Sequence, residues 1–192
     1  MRTNNQESKL ALRRHVRTLL NGLTAAQRAA ASSRACALLE KQSVWQKAHS
    51  ILFYAPLPQE LDLWPLVHGS LAAGRTVVLP RFDSGSSKYI ACRIQNTAGD
   101  IVSGQFGIRE PADHCLPFEL SRLDLVLVPG VAFDLRGRRL GRGRGYYDRL
   151  LALVRGTTCG VAFDEQIIAE ILVEPHDAQV NCILTPARWI EA

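Results

Sequence analysis

The chain has 192 residues, 47% of them apolar, with 23 Lys and Arg against 18 Asp and Glu for a formal net charge of +5. That length supports one compact domain over 1–192 with a substantial core, and the apolar fraction argues against wholesale disorder. No apolar run approaches the roughly 20 residues needed to span a bilayer, the polar start carries no export signal, and the basic excess favours anionic partners such as a nucleotide, a polyanionic small molecule or a nucleic acid.

Ser8 is placed to cap a helix that stops at Asn21-Gly22. Leu12, Val16, Leu19, Leu20 and Leu23 follow the helical period, and Lys9, Arg13 and Arg17 form a basic stripe on another face. Thr24-Ala-Ala-Gln27 has the spacing of a capping box and opens a second helix ending near Lys41, so a helical pair is expected over about 8–41. Beyond it, short apolar runs at 50–54, 76–79, 123–128, 158–162 and 182–185 alternate with amphipathic stretches around 63–73 and 147–154. The run at 123–128 is almost continuously apolar, as in a strand covered on both faces. Strands interleaved with helices predict an α/β fold with a largely parallel sheet. Ligands in such sheets gather beyond the carboxyl ends of strands. Cys36, Cys92, Cys115, Cys159 and Cys182 are odd in number and never paired as C-x-x-C. They are expected to be reduced core thiols of a cytoplasmic protein.

The segment after the run at 123–128 carries the densest chemistry. It reads Pro129-Gly-Val-Ala-Phe-Asp134, then Leu-Arg-Gly-Arg-Arg139, then Leu140-Gly-Arg-Gly-Arg-Gly-Tyr-Tyr-Asp148. Gly141, Gly143 and Gly145 let backbone N–H groups approach phosphate oxygens closely. A helix starting near Tyr146 adds its positive end to the same place. Arg138, Arg139, Arg142 and Arg144 offer forked donors for phosphate or carboxylate. Asp148 is positioned to hold magnesium against those phosphates. The stretch is neither a Walker A loop nor a dinucleotide-binding fingerprint. Its alternative reading is a basic hairpin contacting nucleic acid.

Pro129-Gly-Val-Ala-Phe-Asp134 followed by Arg139-Leu-Gly-Arg-Gly-Arg-Gly-Tyr-Tyr-Asp-Arg149 resembles the signature of the 5-formyltetrahydrofolate cyclo-ligase (5,10-methenyltetrahydrofolate synthetase) family. Further matches follow in sequence order: Lys9-Leu-Ala-Leu-Arg13, Tyr54 to Glu60-Leu-Asp62, Phe106-Gly-Ile-Arg-Glu-Pro111, Phe163-Asp-Glu-Gln166, His176-Asp177 and Ile183-Leu-Thr185. They cover almost the whole chain.

The resemblance implies a three-layer α/β/α fold of the NagB/RpiA/CoA-transferase group. It also implies an ATP-dependent ligase of one-carbon metabolism, with ATP as co-substrate and Mg2+ as cofactor. In that reaction the N5-formyl oxygen of 5-formyltetrahydrofolate is activated as a phosphate. N10 then attacks the formyl carbon, and phosphate leaves to give 5,10-methenyltetrahydrofolate. Such chemistry asks the protein for positioning and charge stabilisation, not for a covalent nucleophile.

Carried over by residue, the resemblance puts ATP on Lys9, Arg13, Arg139, Leu140, Gly141, Arg142, Gly143, Arg144, Gly145, Tyr146 and Tyr147. Ala55 and Glu60, with Arg142, Gly143, Arg144, Gly145 and Tyr146, would border the folate. Arg142, Arg144 and Tyr146 would be catalytic, and Asp148 and Asp177 would hold the metal. Of Tyr146 and Tyr147, one is expected to stack on a ligand and the other to anchor the helix in the core. His176 lacks a partner at ligand spacing and is not assigned. The chain departs from the common family pattern at Leu63, where Thr is frequent, at Arg142 and Arg144, where Tyr and Gly are frequent, and at Pro186, where an acid is frequent. Small-molecule partners, no nucleic acid, no membrane and a monomer are expected. Two other classes remain: a sugar-phosphate isomerase-like enzyme of the same fold group with Glu60 as base, and a non-catalytic RNA-binding module.

Overall fold

The computed structural model describes residues 2–86, 88–104, 107–143, 145–172, 174 and 178–192. The five apolar runs become five parallel strands, β1 (Ser50–Leu52), β2 (Thr76–Asp83), β6 (Leu125–Pro129), β9 (Thr157–Val161) and β11 (Cys182–Leu184). They form the centre of a seven-stranded sheet whose edge strands are β3 (Lys88–Ile94) and β12 (Trp189–Glu191), in the order β12-β11-β9-β6-β1-β2-β3. The edges are antiparallel: β3 pairs with β2, and β12 with β11. β2 runs past the expected end at Leu79 because β3 pairs with it as far as Asp83↔Lys88. β1 pairs with β2 only through Val78, so Pro80, which has no N–H to give, sits where one side of the strand is open.

Side chains alternate along the strands between two separate cores. Ile51, Val77, Leu125, Leu127 and Cys182 pack with Val16 and Leu20 of α1 (Arg2–Asn21), Ala35 and Leu39 of α2 (Ala25–Glu40), Trp45 of α3 (Ser43–Lys47) and Leu66 of α4 (Trp64–Ala72). Leu52, Val78, Val126, Val128 and Ile183 face the other way, toward Leu150 and Leu151 of α5 (Tyr146–Leu151). Helices thus lie on both faces of a mostly parallel sheet.

Thr24 caps α2 through a complete capping box with Gln27, as the spacing predicts. Ser8, in contrast, is not a cap: α1 already begins at Arg2, because residues 2–7 hold neither Gly nor Pro and nothing stops the helix from extending. The helical pair therefore covers 2–40, not 8–41. Of the apolar stripe on α1, Val16 and Leu20 are buried while Leu19 remains exposed.

Two smaller sheets complete the frame. β4 (Ile101–Ser103) pairs antiparallel with β5 (Arg109–Pro111). β7 (Ala132–Asp134) pairs antiparallel with β8 (Arg139–Leu140) and parallel with β10 (Ile167–Ile168). The β7–β8 hairpin presents the Gly/Arg segment, and Asp134 organises its turn. The buried carboxylate of Asp134 accepts the N–H groups of Arg136 and Arg138 on one oxygen and that of Ile171 on the other. All five cysteines are free and buried.

Candidate active site

A cavity of about 410 Å³ opens where β1, β2 and β6 end. The chain leaving β1 contributes Tyr54, Ala55 and Glu60, β2 contributes Pro80, and β6 contributes Pro129 and Gly130. Its far wall comes from the antiparallel ribbon and from β5, with Tyr89, Arg109 and Glu110. The Gly/Arg segment and α5 close the remaining side through Arg139, Gly141, Arg142, Gly145, Tyr146, Tyr147 and Asp148. This is the carboxyl-end crevice expected for a parallel sheet.

The loop backbone explains the glycines. Gly143 has φ +97° and Gly145 has φ +62°, a region that disfavours side chains. The Gly145 conformation turns the chain directly into α5, which spans only six residues. Its contribution as a helix end is correspondingly small beside that of the arginines.

The polar groups brought together here answer one another. Arg139 is almost fully buried, and its Nη2 lies 2.5 Å from Asp148 Oδ1. The same guanidinium stands 5.8 Å from the centroid of the Tyr147 ring. Arg142 Nη2 reaches Glu60 Oε1 at 2.8 Å, and Glu60 Oε2 accepts the Leu57 N–H. From α1, Arg13 Nε donates to the carbonyl of Gly141 at 3.0 Å, docking the first helix on the loop. Lys9 pairs with Glu174 at 3.8 Å. Arg13, Arg139 and Arg142 therefore meet at the loop, each held by a carboxylate or carbonyl of the chain itself.

Both tyrosines are half-buried and line the cavity. Tyr147 packs against both cores, and burial pushes its hydroxyl well above the usual range, with the Glu60 carboxylate adding to the shift. Tyr146 joins Phe82 and Tyr89 in an edge-to-face aromatic cluster, with centroids 5.1 Å from Tyr89 and 6.0 Å from Phe82. Leu140 turns its side chain into the core and does not line the cavity. Leu63 is fully buried at the start of α4 and does not line the cavity. Pro186 is likewise buried, in the turn that Thr185 Oγ1 closes by accepting the Arg188 N–H. Both departures fall on packed positions away from the cavity wall. Arg144, Phe106, His176 and Asp177 lie outside the described residues.

The sequence assigned no role to Phe82 or Tyr89, and it marked Glu110 only as part of the segment 106–111. Burial raises the carboxyl of Glu110 above the usual range, opposed by the Phe82 N–H it accepts and by the Arg81 charge. Gly104 packs so closely that a Cβ there would meet the Glu110 carboxyl at 2.5 Å. The short apolar run at 89–92 was the available signal, and it points to a strand without saying what the strand faces.

For magnesium, the fit rests on donor chemistry. Asp148 presents a carboxylate at the cavity edge beside the loop, the hard oxygen ligand this ion prefers.

Comparison with known proteins identifies the family and the fold. Residues 5–186 match the model of the 5-formyltetrahydrofolate cyclo-ligase family. A 5-formyltetrahydrofolate cyclo-ligase of Mycolicibacterium smegmatis is 36% identical over 148 residues, which is 74% of this chain and 76% of the relative. An Escherichia coli protein of the same description is 33% identical over 147 residues, 73% of this chain and 80% of that one. The NMR structure of Aquifex aeolicus 5,10-methenyltetrahydrofolate synthetase superposes with a TM-score of 0.85 at 31% identity, covering 95% of this chain and 92% of that chain. The chain belongs to the 5-formyltetrahydrofolate cyclo-ligase family.

Proposed function

We propose that this protein converts 5-formyltetrahydrofolate and ATP to 5,10-methenyltetrahydrofolate, ADP and phosphate. The observation that carries the reading is the cavity at the ends of β1, β2 and β6. It combines an aromatic wall, the Glu60 carboxylate and the basic glycine loop in one crevice. A pterin suits the first two: its flat ring stacks on Tyr146 or Tyr89, and its amino-pyrimidine edge donates to Glu60. A triphosphate suits the loop, where Arg13, Arg139 and Arg142 surround Gly141.

The chain's own residues position the reactants. Arg142 and Tyr146 border both ligands, so the phosphoryl group and the formyl oxygen meet at the loop, and the tyrosine keeps the pterin in register for N10 attack. The enclosed wall excludes water from the activated formyl phosphate, which would otherwise hydrolyse. Lys9, Arg144, Gly143 and Gly145 complete the nucleotide assignment, with Ala55 on the folate side and Asp148 and Asp177 as metal carboxylates. Magnesium held there would neutralise phosphate charge and orient the nucleotide. We further assign the fold to the NagB/RpiA/CoA-transferase group, the functional unit to a single domain over 1–192, and the protein to the cytoplasm as a monomer. It acts on small molecules and needs neither nucleic acid nor membrane. No helix of the described residues is long and apolar enough to cross a membrane.

The test is turnover of 5-formyltetrahydrofolate with Mg-ATP, followed by the near-UV absorbance of the methenyl product. Absence of any ATP-dependent product would refute the assignment. Tight, salt-sensitive RNA binding without folate turnover would move it to the binding-module class.

A further inference from the structure

A second cavity of about 360 Å³ lies beside the first, between α1 and the loop. Arg13, Arg17, Asn21, Gln59 and Gln166 line it together with the apolar Val16, Leu20 and Val131. The two cavities share three residues, Glu60, Gly130 and Arg142, and the Glu60–Arg142 ion pair stands on their boundary.

The partners differ in freedom. Glu60 has an 11% exposed side chain, and its other oxygen is tied to the Leu57 N–H. Arg142 is 57% exposed and sits between Gly141 and Gly143. The arginine can therefore swing away while the carboxylate stays fixed. On the reading above, a nucleotide phosphate draws Arg142 toward the loop and a pterin edge takes the Glu60 oxygen that Arg142 Nη2 holds, so each ligand competes with the pair.

We propose that the Glu60–Arg142 pair couples the two ligands, so that binding of the nucleotide opens the folate contact and binding of folate opens the nucleotide contact. Whichever ligand arrives first must break the pair, and the second finds it broken. The advantage to each ligand is the same by thermodynamic linkage. For a partly exposed, charge-assisted pair it amounts to about threefold to tenfold in affinity. The inference rests on the assignment of ATP to the loop and folate to Glu60.

The experiment is calorimetry with a non-hydrolysable ATP analogue and magnesium, so that no turnover intervenes. In wild-type protein, saturating 5-formyltetrahydrofolate is expected to tighten nucleotide binding about threefold to tenfold. Glu60→Gln is expected to show the tighter value without folate and to lose the dependence on it. Equal nucleotide affinity with and without folate in wild-type protein overturns the coupling, whatever the variant does. A Glu60→Gln protein with the wild-type melting temperature but unchanged or weaker nucleotide binding overturns it as well. Wild-type protein that binds no nucleotide overturns instead the functional assignment on which the coupling rests.

Discussion

Arg139→Met tests whether the buried guanidinium is part of the frame as well as of the ligand site. The Arg139 side chain is 4% exposed, and Asp148, its partner at 2.5 Å, is 18% exposed. Removing one member of a buried pair typically costs about 3–5 kcal/mol, because the other charge is left uncompensated. Here the lower end applies, since Asp148 retains some access to water. A second effect opposes it. Arg139 Nε is buried with no hydrogen-bond partner, and methionine removes that polar atom, returning about 1 kcal/mol. The pair dominates, and the net loss is on the order of 2 kcal/mol. For a chain of this length that lowers the melting temperature by roughly 4–8 °C. The assay is a double-mutant cycle by thermal and urea denaturation with Arg139→Met, Asp148→Asn and the combination. Adding Asp148→Asn to Arg139→Met should recover part of the loss, because no uncompensated charge remains. A single variant that melts within about 1 °C of wild type, or strictly additive losses in the double variant, would refute the reasoning.

Asp148→Asn keeps an oxygen facing Arg139 but leaves that buried cation uncompensated, so it should cost stability on the same order as Arg139→Met. At a temperature where the variant stays folded, turnover should still fall on the order of 10²-fold at fixed magnesium. An unchanged rate with magnesium still required would remove Asp148 from the metal assignment. Burial holds the thiol of Cys36 up to about 11 and raises those of Cys92, Cys115 and Cys159. A thiol reagent at neutral pH should therefore label essentially no cysteine until the chain is unfolded, when five react. Rapid labelling of the native protein would contradict the burial. The raised carboxyl of Glu110 means that the folded state binds more protons than the unfolded one between the ordinary glutamate value and the folded value. Stability from this group is present at low pH and lost as pH rises through the folded value. Glu110→Gln stays neutral, so its stability should fall less than wild type over that window, while any constant offset from the amide leaves the slope unaffected. Parallel pH–stability curves would show that Glu110 does not titrate this way.

The sequence alone settled what depends on near neighbours. The five central strands are continuous apolar runs because both their faces are covered, so each declares itself within a few residues. Thr24 and Gln27 lie three apart and build their cap without help from the rest of the chain. The Gly/Arg loop is legible for the same reason, since positive φ and phosphate donors are properties of the segment itself. The start of α1 was harder, because Ser8 suits a cap but nothing in residues 2–7 stops the helix. The tertiary structure decided what faces what. It brought Glu60 to Arg142 across 82 positions of sequence, folded Arg139 back onto Asp148, and laid Tyr89 of the edge ribbon against Tyr146. It also buried Leu63 in the core, away from the cavity. None of these has a local signature: a carboxylate, an arginine or a tyrosine reads the same on an exposed face as in a cavity. Only the crossing of the chain at the ends of β1, β2 and β6 gives each one its partner.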